Sequence, residues 1–248
     1  MIKESLRQAA YSVAPRAVVD RYLHHKMARQ ARDLNRLRAA GADASLLIEP
    51  LWRSNFFRPL QKKSEILRLL AIVRAARPEV ICEIGAAGGG TTFLLAHAAA
   101  GDATIISLDL AYSASRRAAV HSFAREEQKI ICLPCDSHSP LSVRAVKAHL
   151  ARKRLDILFL DGDHSYEGVK TDFQFYSPLV RPGGLVIFHD IVPDYKARYG
   201  IQTSSDSGGV PRFWKETKAS GAEVEEVVED YEQDGFGIGI LHWSDAAS

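Results

Sequence analysis

The sequence predicts an α/β fold built on a doubly wound, mostly parallel sheet. Three observations carry this reading. Short apolar runs of β-formers alternate with segments of helical period from about residue 61 onward. A glycine-rich turn joins the first of these runs to a helix. Acidic, polar or histidine residues stand where the runs end, on the one rim that a parallel arrangement gives them in common.

The first run, Val80–Ile84, leads into Gly85, Ala86, Ala87, Gly88, Gly89 and Gly90, and an apolar helical pattern (Phe93–Ala96) follows. Gly85 and Gly88 carry no Cβ, so the chain can turn sharply there and approach a ligand closely. The helix behind them points unpaired N–H groups at that ligand. Glu83, at the strand end, would repel a pyrophosphate and suits a ligand with positive charge and hydroxyls. The glycines stand as G-x-x-G-G-G and miss the G-x-G-x-x-G of dinucleotide sites. The pattern E-x-G-x-x-x-G-x-T, from Glu83 to Thr91, instead resembles motif I of the class I S-adenosylmethionine-dependent methyltransferases. That resemblance implies a cofactor site for S-adenosylmethionine at Glu83, Gly85, Ala86, Gly88 and Thr91.

Composition bounds the alternatives. A chain of 248 residues holds one α/β domain and an appendage. Its 46% hydrophobic and 25% charged residues are those of a globular protein. A net charge of +2 is too small to imply a nucleic-acid partner. No run approaches the roughly 18 apolar residues of a membrane span. The N-terminus shows no apolar signal region, and three cysteines make no disulfide framework, so the cytoplasm is the expected compartment. Cys132 and Cys135 are spaced as C-x-x-C, but no second pair completes a zinc site.

The expected division is an N-terminal helical arm with its connecting segment, residues 1–59, and a cofactor-binding domain, residues 60–248. Leu6, Ala10, Val13, Val18, Tyr22, Met27, Leu34 and Leu37 recur at roughly helical spacing, with Pro15 as a break. Basic residues outnumber acidic ones here, so the arm packs on the domain or a second subunit of a homo-oligomer, or offers a peripheral contact to anionic lipid or glycan. Gly41–Pro59 reads as a connection. A helix then starts near Gln61.

Thr104–Asp109 is the second strand, and Asp109 lies about 20 residues past the glycine turn, where a carboxylate takes ribose hydroxyls. Ile130–Pro134 reads as the third strand and delivers Asp136 and Ser137, which the resemblance places beside the adenine; an Asx turn is the plainer reading. Leu155–Asp161 is apolar enough to be a central strand buried on both faces. Ser177–Gly184 reads as a turn, Leu185–Asp190 as the fifth strand, and Glu223–Val228 with Phe236–Leu241 as a terminal antiparallel pair. Between them, the loop Ile191–Ser207 is long enough to cover a substrate, and the segment from Gly208 to Trp214 starts a helix.

Asp161, Asp163, His164, His189 and Asp190 therefore converge at the ends of neighbouring strands. The run FLDGDHSYEGVKTDF with GGLVIFHD resembles macrocin-type sugar O-methyltransferases and, by fold, cephalosporin hydroxylase-like proteins, over roughly residues 60 to 242. The resemblance implies a seven-stranded Rossmann-like sheet in the order 3-2-1-4-5-7-6. It implies His164 as base and Asp161 as a catalytic and cofactor-side acid. Asp161 and Asp190 match metal-binding carboxylates, and His189 stands where metal-dependent relatives place a second acid. Carboxylates suit Mg²⁺, while imidazole favours Zn²⁺, Mn²⁺ or Fe²⁺. The expected acceptor is a hydroxyl of a small molecule, a sugar or glycosylated metabolite first. The alternatives are an oxygenase with iron on His189, Asp190 and Asp161, and a non-catalytic cofactor-binding module.

Overall fold

The computed structural model describes residues 16–125 and 127–244. Leu6, Ala10, Val13 and Pro15, read above as part of the arm, lie outside them. Seven strands form one sheet in the order β3-β2-β1-β4-β5-β7-β6, as the resemblance implied. β1 (Val80–Ile84), β2 (Thr104–Leu108), β3 (Lys129–Leu133), β4 (Leu155–Leu160) and β5 (Val180–His189) run parallel. β7 (Ile238–His242) is antiparallel to β5, and β6 (Val224–Val227) pairs antiparallel with β7.

The period-2 alternation of each strand divides the core into two layers. Ile81, Ile105, Ile157, Phe159 and Ile187 face one cluster with Phe57, Phe93 and Phe123. Cys82, Ile106, Leu158, Val186 and Phe188 face the other, with Tyr176 and Trp214. Fully burying one such side chain contributes roughly 1.5–3 kcal/mol, which is why strands apolar at nearly every position settle at the centre of the sheet. Register then sets the site. Ile84 pairs with Leu108 and with Leu160, and Leu160 with Phe188. Gly85, Asp109, Asp161 and His189 consequently leave the sheet side by side.

The arm is helix α1 (Arg16–Ala39). Met27, Ala31 and Leu34 are buried, whereas Val18, Tyr22 and Leu37 from the same predicted stripe are exposed. The helix packs on α5 (Ala114–His121), where Asn35 Nδ2 donates to the Ser122 carbonyl at 2.6 Å. Gly41–Pro59 is more than a connection, since it contains α2 (Ala44–Trp52), capped by Asp43, which accepts from the Leu46 N–H at 3.1 Å. Pro50 signals a break, but burial of Leu47, Ile48 and Leu51 outweighs the backbone bond it cannot donate. After α3 (Lys63–Ala76), β1 and α4 (Gly90–Ala98) follow as expected. Later come α6 (Pro140–Leu150), α7 (Tyr166–Tyr176), the short α8 (Tyr195–Tyr199) and α9 (Val210–Ala219). The expected turn at Ser177–Gly184 shrinks to Ser177–Leu179, and β5 begins at Val180 with a register shift opposite Leu155–Ile157. No helix among the described residues is long and apolar enough to cross a membrane.

Glu65, on α3, is wholly buried and ties the far end of the sheet down. Its Oε1 accepts from the Glu229 N–H at 3.1 Å and Gln233 Nε2 at 2.8 Å, and its Oε2 from the Gly237 N–H at 3.0 Å. Glu65→Ala strands three donors, two of them buried. At about 1–3 kcal/mol for each buried donor, and roughly 2–4 °C per kcal/mol for a chain of this size, its melting temperature should fall by at least about 4 °C. A thermal scan checks this.

Candidate active site

A cleft of about 1080 Å³ opens at the carboxyl ends of the parallel strands. This lies at the upper end of the ~300–1,000 Å³ usual for a small-molecule site. One wall is the glycine turn, where Gly85, Ala86, Gly88 and Thr91 all line the cleft. Gly85 sits at φ +86°, and a Cβ there would lie 1.9 Å from the Asp161 carbonyl oxygen. A Cβ on Gly88 would lie 2.5 Å from the Phe56 carbonyl oxygen. Both positions need glycine for close packing, and Gly85 also for its left-handed backbone. No side chain caps α4, whose N-cap is Gly89 in the left-handed region, so its first-turn N–H groups belong to the turn.

Asp109 lies across from this wall. Its Oδ2 accepts from the Ala87 N–H at 2.7 Å and its Oδ1 from the Ala111 N–H at 2.6 Å. Each oxygen keeps a second lone pair, which is the acceptor pair a vicinal diol needs. Asp136 and Ser137 line the cleft further along, and Asp136 Oδ1 also accepts from the His138 N–H at 2.9 Å, so the Asx turn and the wall position coexist. A glycine cradle, a diol acceptor and a polar rim beyond it fit an adenosine ligand with an extended tail.

Glu83 does not line the cleft. Its buried carboxyl lies behind the turn, where Thr92 Oγ1 and Ser107 Oγ donate to Oε2, the latter at 2.7 Å; Oε1 has no partner among the described residues. The Tyr112 hydroxyl lies 2.7 Å behind Ser107 Oγ. Burial pushes the Glu83 carboxyl up to about 7, with the two hydroxyl donors pulling the other way.

At the other end of the cleft, Asp161, His164 and Asp190 each bring one ligand atom within 4.8 Å of the others. His164 Nδ1 lies 2.6 Å from the Asp206 carbonyl oxygen, which can only accept, so that nitrogen carries the hydrogen. His164 Nε2 faces Asp161 Oδ1 at 3.6 Å. His189 is buried beneath this group: its Nδ1 contacts Asp161 Oδ1 at 2.9 Å and Asp190 Oδ2 at 3.1 Å, and its Nε2 is buried without a partner among the described residues. His164 thus stands in the close group where His189 was expected, and His189 orients both carboxylates from below. The contact with Asp161 raises His164 to about 9, against burial and with Asp190 adding to the rise. Burial alone would lower His189, but Asp161 and Asp190 outweigh it and hold the imidazole well above its ordinary value. Burial likewise opposes ionisation of Asp161, yet His189 and His164 keep its carboxyl below the usual range.

Two further features were not legible in the sequence. Gln61, buried, donates from Nε2 to Asp161 Oδ2 at 2.7 Å and accepts on Oε1 from Thr91 Oγ1 at 3.0 Å, linking the two ends of the cleft. It is distant in sequence from both and marked only the start of a helix. Asp190 is held at φ +61°, with its Oδ1 accepting from the Phe236 N–H at 3.1 Å. A non-glycine residue there stores about 1–3 kcal/mol of strain, a cost that clusters at functional sites.

Residues 82–191 match the family described as a methyltransferase domain. Over nearly its whole length the chain shares its fold with the O-methyltransferase TomG from Streptomyces achromogenes, involved in tomaymycin synthesis and solved with S-adenosylmethionine. The TM-score is 0.55 at 16% identity, covering 97% of this chain and 96% of that one. The O-methyltransferase from Bacillus cereus, solved with S-adenosylhomocysteine, aligns with a TM-score of 0.53 at 19% identity, covering 98% and 100%. An uncharacterized protein of Acanthamoeba polyphaga mimivirus is 48% identical over 42 residues, which are 17% of this chain and 19% of that relative's length. The fold is that of the class I S-adenosylmethionine-dependent methyltransferases.

Two outcomes follow from the wall and its backing. The folded state keeps the Glu83 proton between about pH 4.5 and 7 while the unfolded chain loses it, so stability falls as pH rises through that window. Glu83→Gln should flatten this fall, and a melting curve that still tracks the wild type across the window would count against the assignment. Gln61→Ala should slow turnover by about tenfold or more through loss of the donor to Asp161, and lower the melting temperature by a few degrees because the buried Thr91 hydroxyl loses its acceptor.

Proposed function

We propose that this protein transfers the methyl group of S-adenosylmethionine to a hydroxyl of a small molecule, with sugars and glycosylated metabolites as the first acceptor class, assisted by a divalent cation. The observation that carries this reading is one cleft that holds both the adenosine-type cradle and the Asp161–His164–Asp190 group. The polar stretch Ser204–Asp206 on the same wall supports a hydroxylated acceptor.

S-adenosylmethionine supplies an electrophilic methyl on a sulfonium. The chain's residues must hold it, aim a nucleophile at it and remove a proton. Asp109 accepts from the ribose hydroxyls, the backbone at Gly85 and Gly88 lets the tail pass close, and Asp136 with Ser137 borders the base. At the other end an alcohol is a poor nucleophile at neutral pH, so its proton must be drawn off. Asp161 and Asp190 would hold the cation, carboxylates that Mg²⁺ or Mn²⁺ accepts, and His164 Nε2 beside them is the base that takes the acceptor's proton. Such an ion lowers the pKa of a hydroxyl beside it. The Asp206 carbonyl keeps Nε2 as the reactive nitrogen of His164, and His189 below locks both carboxylates in place. Gln61 fixes the second oxygen of Asp161.

Labelled S-adenosylmethionine, turned over with a panel of sugars, glycosides and phenols, tests the reading directly. Methyl incorporation should appear, fall on chelation and return with Mn²⁺ or Mg²⁺. His164→Ala should cost on the order of 10²-fold or more in rate. Activity indifferent to chelation would leave proton removal to His164 alone, and no calorimetric heat with S-adenosylhomocysteine would sink the donor assignment.

A further inference from the structure

The walls of the cleft are strongly acidic, with Asp109, Asp136, Asp161, Asp163, Asp190 and Asp206 all on the surface. Among the described residues that line it, Arg58 is the one arginine or lysine. Its guanidinium forms no hydrogen bond, ion pair or ring contact with any described residue, although carboxylates surround the cleft. The backbone that carries Arg58 is fixed on both sides. The Phe56 and Phe57 carbonyl oxygens pack so closely on Gly88 and Gly90 that a Cβ on either glycine would approach within 2.5 Å and 1.9 Å. Phe57 is wholly buried, and three residues beyond Arg58 the Gln61 amide grips Asp161. Arg58 therefore projects from a rigid strap that runs from the glycine turn to the reactive group. Three residues of chain span at most about 10 Å, so its anchor lies within a small molecule's length of Asp161.

We propose that Arg58 is the cleft's anion receptor, pairing with a carboxylate or phosphate on a bound ligand through its planar fork. This rests on the methyltransferase reading and names a further binding residue within that site. One such anion is the carboxylate on the amino-acid tail of the cofactor, which must pass this wall if adenosine lies toward Asp109. The other is an acidic group on the acceptor, a uronic acid or a sugar phosphate. In either case the fork supplies the positive charge that the six aspartates deny an anion.

Two calorimetric arms separate these sources and the underlying reading. In the first, S-adenosylhomocysteine and 5′-methylthioadenosine, which lacks the carboxylate, are titrated into wild type, Arg58→Gln and Arg58→Lys. If the cofactor tail is the anion, Arg58→Gln weakens S-adenosylhomocysteine by about tenfold or more and leaves methylthioadenosine unchanged, with Arg58→Lys between. In the second, glucuronate and glucose 6-phosphate are titrated into the protein saturated with S-adenosylhomocysteine. If the acceptor carries the anion, binding of one of these is lost in Arg58→Gln while glucose is unaffected. Wild-type and Arg58→Gln affinities that agree in both arms would overturn the proposal. Wild type that binds neither nucleoside would instead remove the methyltransferase reading itself.

Discussion

The Asp161 carbonyl oxygen lies where a side chain on Gly85 would begin, and the cleft depends on that contact. It lets the ends of β1 and β4 come together with no side chain between them. Their paired registers, Ile84 with Leu160 and Ile84 with Leu108, then place the glycine turn, Asp109 and Asp161 on a common rim. The burial of the strands supplies the energy, and the missing Cβ supplies the room. The glycine turn and the Asp161–His164–Asp190 group share one cleft because these chain segments are so close.

Charge in the cleft is divided with the same economy of space. The acids that line it serve different ends: Asp109 ties its own turn to the glycine turn through the Ala111 and Ala87 N–H groups, while Asp161 is held on both oxygens by Gln61 and His189. Asp161 and Asp190 raise both imidazoles above their ordinary value, and the histidines in turn keep the Asp161 carboxyl below the usual range against burial. Such mutual support makes a compact group whose members lose their geometry together. It also explains why strain is tolerated at Asp190, whose left-handed backbone aims one carboxylate oxygen at the Phe236 N–H and leaves the other for the histidines. Glu83 shows the opposite solution, a lone acid set behind the wall, where burial favours its proton.

Much of this was legible in the chain because local and global signals agree there. Strands buried on both faces are apolar almost throughout, the glycine turn has no other economical use, and polar residues at strand ends announce the rim of a parallel sheet. Where local signals mislead, a tertiary force has overridden them. Pro50 argues for a break, yet α2 forms because three of its side chains are needed in the core. Ser177–Gly184 is rich in turn residues, yet β5 already starts at Val180 because β4 offers a ladder to join. Val18, Tyr22 and Leu37 share a helical stripe with buried residues, but α1 packs on α5 and α2 through Met27, Ala31 and Leu34 and leaves them at the surface.

By itself the sequence determined the fold class, the strand order through the family it resembles, and several of the polar residues on the cleft wall, Asp109, Asp136, Asp161 and Asp190 among them. Those properties follow from side-chain chemistry read along the chain. What only the tertiary structure decided is how these residues face one another. It put Glu83 behind the wall, His164 in the reactive group with His189 beneath it, and Gln61 and Arg58 on a strap along the cleft. Orientation of this kind depends on contacts between residues far apart in the chain, and no spacing along a sequence records which nitrogen of a ring meets which oxygen.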